Sequence, residues 1–106
     1  MKRVGFILKV KEHKIDEYKL GHQEVWPEML QTLRDAGWTN YSLFMREDGL
    51  LFGYVETPDF DQALAKMGES EVNTRWQAAF ADFFEGLDGK NADQSMVELE
   101  EVFHLD

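Results

Sequence analysis

From Val4 to Lys11 apolar and polar positions alternate, with Phe6, Leu8 and Val10 on one side and Ile7, Lys9 and Lys11 on the other. A period of two belongs to a strand with one buried face, so the spacing predicts a first strand over 4–11. After a polar turn from Lys11 to Lys14 the period lengthens. Ile15, Tyr18, His22, Val25, Trp26, Met29 and Leu33 recur three or four apart and form the apolar stripe of a helix. That helix is predicted to run to Ala36–Gly37, where glycine suits a left-handed cap. Two residues disturb it. Gly21 weakens a helix interior by about 1 kcal/mol relative to alanine, and Pro27 removes a backbone donor and crowds the preceding turn. A kink or restart is expected over residues 22–27.

Tyr41, Leu43 and Met45 share a parity in a second predicted strand, Trp38 to Arg46. Glu47-Asp48-Gly49 is a hairpin signal, and Leu50 to Glu56 is the third strand, antiparallel to the second. Thr57-Pro58-Asp59 reads as a helix start, with Thr57 as the capping hydroxyl and proline in the first turn. Phe60, Leu64 and Met67 follow at helical spacing. Ser70 is a second N-cap candidate, and Val72, Trp76, Ala79, Phe80 and Phe83 continue the pattern. Gly86 to Ser95 is polar and reads as a loop. Met96 to Leu105 reads as a last strand, with Leu99, Glu101, Phe103 and Leu105 on one parity.

The order strand, helix, strand, strand, helix, strand is the split β-α-β pattern of a ferredoxin-like α+β fold, one domain over 1–106. Its helices cover one face of the sheet, and the other face needs cover too. Two such sheets packed face to face give a dimeric α+β barrel, so a homodimer is expected; a small domain gains core in that way.

Composition narrows the partners. The formal net charge of −10 opposes binding to nucleic acid or to an anionic membrane surface. With no cysteines in the chain, disulfides, thiolate metal sites and thiol nucleophiles are excluded, and a cytoplasmic location is expected. Lys9 and Lys11 interrupt the N-terminal apolar run too early for a signal-peptide core. No run approaches the roughly 18 apolar residues of a membrane helix.

Among candidate chemical groups, His22 stands out because it lies inside the apolar stripe. Such a histidine is either a core imidazole satisfied by one backbone hydrogen bond or an acid–base group, since imidazole exchanges a proton near neutral pH. Tyr18, one turn earlier on the same face, and Tyr41 are core phenols or ligand hydroxyls. Trp26 and Trp76 are core rings or platforms for the C–H face of a sugar. Glu101 sits among apolar neighbours of its own parity. It is therefore either paired, with Arg3, Arg46 or a partner chain, or functional as a base or an acceptor of sugar hydroxyls. His13 and His104 are scattered, and no metal-binding, phosphate-loop or Ser-His-Asp spacing is present.

The motif Y-x-x-x-H-x-x-x-W-P-E from Tyr18 to Glu28, together with Asn40-Tyr41, Leu50-Leu51-Phe52, Arg75-Trp76 and Glu101-Val102-Phe103, resembles the L-rhamnose mutarotase family. The similarity runs along nearly the whole chain. The resemblance implies a homodimeric barrel that interconverts the α and β anomers of L-rhamnose without a cofactor. It also implies that His22 is the proton donor and that Tyr18, Tyr41 and Trp76 bind the sugar. Where the family often carries a second tryptophan this chain has Gln77, which bears on the pose of the sugar and its selectivity. For the second proton-transfer group, Tyr41, Glu101 and water stay open. Two other readings compete: a haem-binding monooxygenase on the same barrel, with His22 as axial ligand, and a non-enzymatic sugar-binding domain.

Overall fold

A computed structural model describes residues 1–87 and 90–106. Four strands, β1 (Lys2–Lys9), β2 (Thr39–Met45), β3 (Leu50–Thr57) and β4 (Val97–Leu99), form one sheet in the order β2-β3-β1-β4. Each neighbouring pair is antiparallel. The helices are α1 (Ile15–Gln23), α2 (Pro27–Asp35), α3 (Phe60–Glu69) and α4 (Glu71–Phe80). This is the expected ferredoxin-like α+β arrangement.

The predicted parity of the first strand holds where the helices cover the sheet. Val4 and Phe6 of β1 and Val55 of β3 are buried beneath Met29, Phe60, Ala63 and Met67, joined by Trp38 at the foot of β2, while Leu51 of β3 is buried in a second cluster with Val10, Tyr18 and Phe84. Gly53 makes this packing possible. A Cβ there would collide with the ring of Phe6, which lies across the β3 backbone. The hairpin forms as expected, with Gly49 at φ 93° and the Asp48 carboxylate accepting from Leu50 N at 3.2 Å.

Of the kink or restart expected over residues 22–27, the structure has the restart: Pro27 opens a new helix at the first helical position, where its missing N–H costs nothing. Two other sequence expectations change. The N-cap of α3 is Asp59, whose side chain accepts from Gln62 N, while Thr57 is buried at the end of β3. The last strand is short. It spans only Val97–Leu99, with Leu99 opposite Gly5. Residues 100–106 carry no regular structure. Within the segment read as a loop, Ala92–Gln94 forms a 3₁₀ turn, and Asp88 and Gly89 lie outside the described residues.

The sheet face away from the helices is apolar and open. Phe44 is 61% exposed, Val97 56% and Phe103 80%, with Phe52 and Leu99 also uncovered. Among the described residues no helix is long and apolar enough to cross a membrane.

Candidate active site

The break between α1 and α2 places the first candidate side chains. Glu24 ends α1 with φ −136° and ψ 69°, and Trp26 caps α2 in an extended conformation. His22 therefore sits in the last turn of α1, half-buried. Its Nδ1 lies 2.9 Å from the carbonyl oxygen of Tyr18. A carbonyl can only accept, so Nδ1 carries the hydrogen and Nε2 is left free for other work. Burial lowers the His22 pKa below its ordinary 6.5, and the bond to Tyr18 opposes that shift only in part.

Aromatic rings fix the imidazole. Tyr18 stacks on it at 4.1 Å, while Trp76 and Phe80 meet it edge-on at 5.4 and 5.2 Å. Phe80 reaches this position because residue 21 is glycine; a Cβ would stand 2.7 Å from its Cζ. Gly21, a weakness when α1 is considered alone, makes room for a ring of the site.

A cavity of about 370 Å³ lies between helices and sheet. His22, Tyr41, Trp76, Asn73, Gln77 and Asp93 contribute its polar or aromatic wall, and Val25, Met29, Leu33, Leu43 and Met96 the apolar one. That size is at the low end of pockets for small molecules, roughly 300–1,000 Å³. A hollow of about 60 Å³ shares His22, Tyr41, Trp76, Gln77 and Asp93 and is floored by Tyr18, Phe80 and Phe84. Tyr41 arrives through a register shift in β2 between Thr39 and Ser42, next to Asn40, whose φ is 46°. Such an irregularity re-aims side chains at sheet edges and sites. Burial pushes the phenols of both Tyr18 and Tyr41 far above their ordinary value, the Asp93 charge adding to the effect at Tyr41. Both stay as neutral hydroxyls throughout the physiological range.

The sequence candidates thus separate. His22, Tyr41, Trp76 and Gln77 line the cavity, and Tyr18 lines its inner hollow. Trp26 packs edge-on against Trp76 at 5.0 Å, bracing a cavity wall from outside. Glu101 lies elsewhere. It pairs with Arg3, one of the partners expected, through two hydrogen bonds of 2.9 and 3.0 Å, which hold its carboxyl below the usual range. The pair borders a shallow hollow on the open sheet face with Tyr54, Leu99 and Phe103.

Two further residues escaped the sequence reading. Asn73 is buried on α4, one turn before Gln77. Its Nδ2 donates to Met67 O at 3.0 Å and to Asp93 Oδ2 at 2.8 Å, and its Oδ1 accepts from Gln77 Nε2 at 3.1 Å. Gln77 Oε1 in turn accepts from Ala92 N at 3.1 Å. Asn73 had a legible signal, being polar on the stripe that carries Trp76 and Phe80. Asp93 had none, since it stands in a stretch that reads as loop. Among the described residues no cluster of three or more His, Asp or Glu is placed to hold a metal.

Fold and site together define a ferredoxin-like α+β domain with an aromatic, small-molecule-sized pocket that holds a titratable imidazole. Residues 3–105 match the family model of L-rhamnose mutarotase. An L-rhamnose mutarotase of Oceanobacillus iheyensis is 41% identical and one of Bacillus subtilis 39%, each over the full length of both chains. The crystal structure of L-rhamnose mutarotase from Formosa agariphila superposes over all of both chains with a TM-score of 0.81 at 28% identity. The chain belongs to the L-rhamnose mutarotase family.

Proposed function

We propose that this protein interconverts the α and β anomers of L-rhamnose, with His22 as proton donor. The observation that carries the reading is the imidazole whose Nδ1 is engaged by the Tyr18 carbonyl while the ring borders a sugar-sized cavity. Family membership supports this activity over haem oxygenation or sugar binding without turnover.

Ring opening needs a proton at the ring oxygen as the bond from that oxygen to the anomeric carbon breaks, and it releases the proton of the anomeric hydroxyl. The aldehyde then turns about its bond to the neighbouring carbon and recloses on the other face. His22 donates from Nε2 as the imidazolium and recovers the proton on closure. Tyr18, Tyr41 and Trp76 bind the sugar. As neutral hydroxyls the two tyrosines both donate and accept, which suits a ring bearing several hydroxyl groups. Trp76 offers a ring for C–H packing, with Trp26 behind it.

The enzyme acts as a homodimer in this reading. Its support is the open apolar sheet face, where Phe44, Phe52, Val97 and Leu99 lie uncovered. The cysteine-free sequence is the ground for placing it in the cytoplasm. Saturation-transfer NMR on the anomeric protons of L-rhamnose tests the activity. Faster exchange with catalytic amounts of protein is expected, and an unchanged rate for L-rhamnose would end the proposal.

A further inference from the structure

Anomer exchange moves two protons, and the arrangement above accounts for one. As the ring oxygen receives a proton, another group must take the proton of the anomeric hydroxyl. Tyr18 and Tyr41 are unsuited to that, because burial holds their phenols neutral. Glu101 faces away from the cavity and both its oxygens are bound by Arg3.

Asp93 has the required features. It borders both the main cavity and the inner hollow, beside His22 and Tyr41 in each. One oxygen, Oδ2, is anchored by Asn73 Nδ2 at 2.8 Å. The other, Oδ1, is buried with no hydrogen-bond partner among the described residues. A buried acceptor left unpaired costs about 1–3 kcal/mol, more when charged, so natural structures rarely retain one without use. A ligand hydroxyl is the donor that fits such an oxygen in a cavity of this size.

The surrounding polar groups hold that oxygen in place. Asn73 ties Asp93 to the end of α3 through Met67 O. Gln77 grips Asn73 with one end of its amide and Ala92 N with the other. Gln94 Oε1 accepts from Asn91 N at 3.0 Å across the 3₁₀ turn that carries Asp93. Gln77 is thus a positioning residue for the turn, with both ends of its amide engaged by the protein.

We propose that Asp93 is the second proton-transfer group of the reaction, its Oδ1 acting on the anomeric hydroxyl opposite His22 Nε2 on the ring oxygen. In the opening step the anomeric O–H breaks and its proton passes to Oδ1. The anomeric carbon–oxygen bond becomes a carbonyl. The bond to the ring oxygen breaks with its electron pair going to that oxygen, which takes the proton from Nε2. Reclosure runs the same transfers backwards, on the other face of the aldehyde. The pair holds one proton in total before ring opening and after reclosure, and no oxidant, metal or further reactant enters.

This inference rests on the anomer-exchange reading, and Asp93→Asn separates the two. The amide oxygen still accepts from Asn73, and only the basic oxygen is replaced. With L-rhamnose in saturation-transfer NMR, kcat is expected to fall about 10²-fold or more, with KM little changed. Asp93→Glu, which keeps a carboxylate, should retain more rate than Asp93→Asn. An active wild type with an undiminished Asp93→Asn, a loss confined to KM, or equal losses in the two variants would overturn the role of Asp93 and leave the activity standing. A wild type without exchange would remove the activity itself. If Asp93→Asn fails to fold by circular dichroism, Asp93→Ala is assayed with and without formate. Restored exchange supports the role, and none overturns it.

Discussion

Among single residues, His22 stands in the environment on which the proposed chemistry depends. Removing the imidazole while sparing its neighbours should separate chemistry from fold. His22→Gln is expected to keep its circular dichroism and lose about 10²–10⁴-fold of the catalysed rate; full activity would make His22 a core histidine. Its lowered pKa gives two effects of opposite sign. The donating imidazolium grows as the pH falls, so the catalysed rate, corrected for buffer exchange, should rise on acidification from neutrality. The fold responds the other way. The unfolded chain takes up the His22 proton first, as the pH drops through about 6.5, while the folded imidazole stays neutral until lower pH. The resulting loss of stability sets in below that point and levels off below the folded pKa. Thermal melts of wild type and His22→Gln, compared at each pH, isolate it; wild-type stability should drop further than that of the variant.

At the scale of elements, much was legible in the sequence. The period-two runs around Phe6 and Leu43, the Asp48-Gly49 turn and the Ser70 cap each rest on local rules that the tertiary structure leaves in force. Ser70 accepts from Asn73 N at 3.1 Å, so Ser70→Ala should cost about 1 kcal/mol in chemical denaturation, with an added loss of rate because Asn73 also anchors Asp93. What local rules could not supply were contacts between distant segments. The cost of Gly21 is visible in the sequence, but its use is not, since the ring it admits belongs to Phe80. Gly21→Ala would favour α1 taken alone, yet it should destabilise the protein by about 1–3 kcal/mol through that clash and displace the ring that supports His22. A gain in stability would show that Phe80 can move aside. Asp93 stayed illegible for the same reason. Its importance comes from Asn73 and Gln77 on α4, not from any pattern around itself. The alternation from Leu99 to Leu105 misled in the other direction: pairing with β1 ends at Leu99, and the residues beyond it carry no regular structure.

At the scale of the whole molecule, the sheet separates two tasks. Its covered face carries the cavity, and its open face carries Phe44, Phe52, Val97 and Leu99 in contact with water. Exposed apolar patches of this kind mark association surfaces. A dimer is expected by light scattering at working concentration. Phe44→Glu should shift it towards monomer, and a wild-type monomer would contradict the homodimer. The Arg3–Glu101 pair lies on this face, so its disruption is expected to affect assembly before catalysis. The proposed anomer exchange is driven from the covered face, and saturation-transfer NMR on L-rhamnose with wild type and His22→Gln side by side measures it. Rapid exchange with the wild type and exchange near the buffer rate with a folded His22→Gln is the predicted result; equal rates in the two, or no acceleration by the wild type, would contradict it.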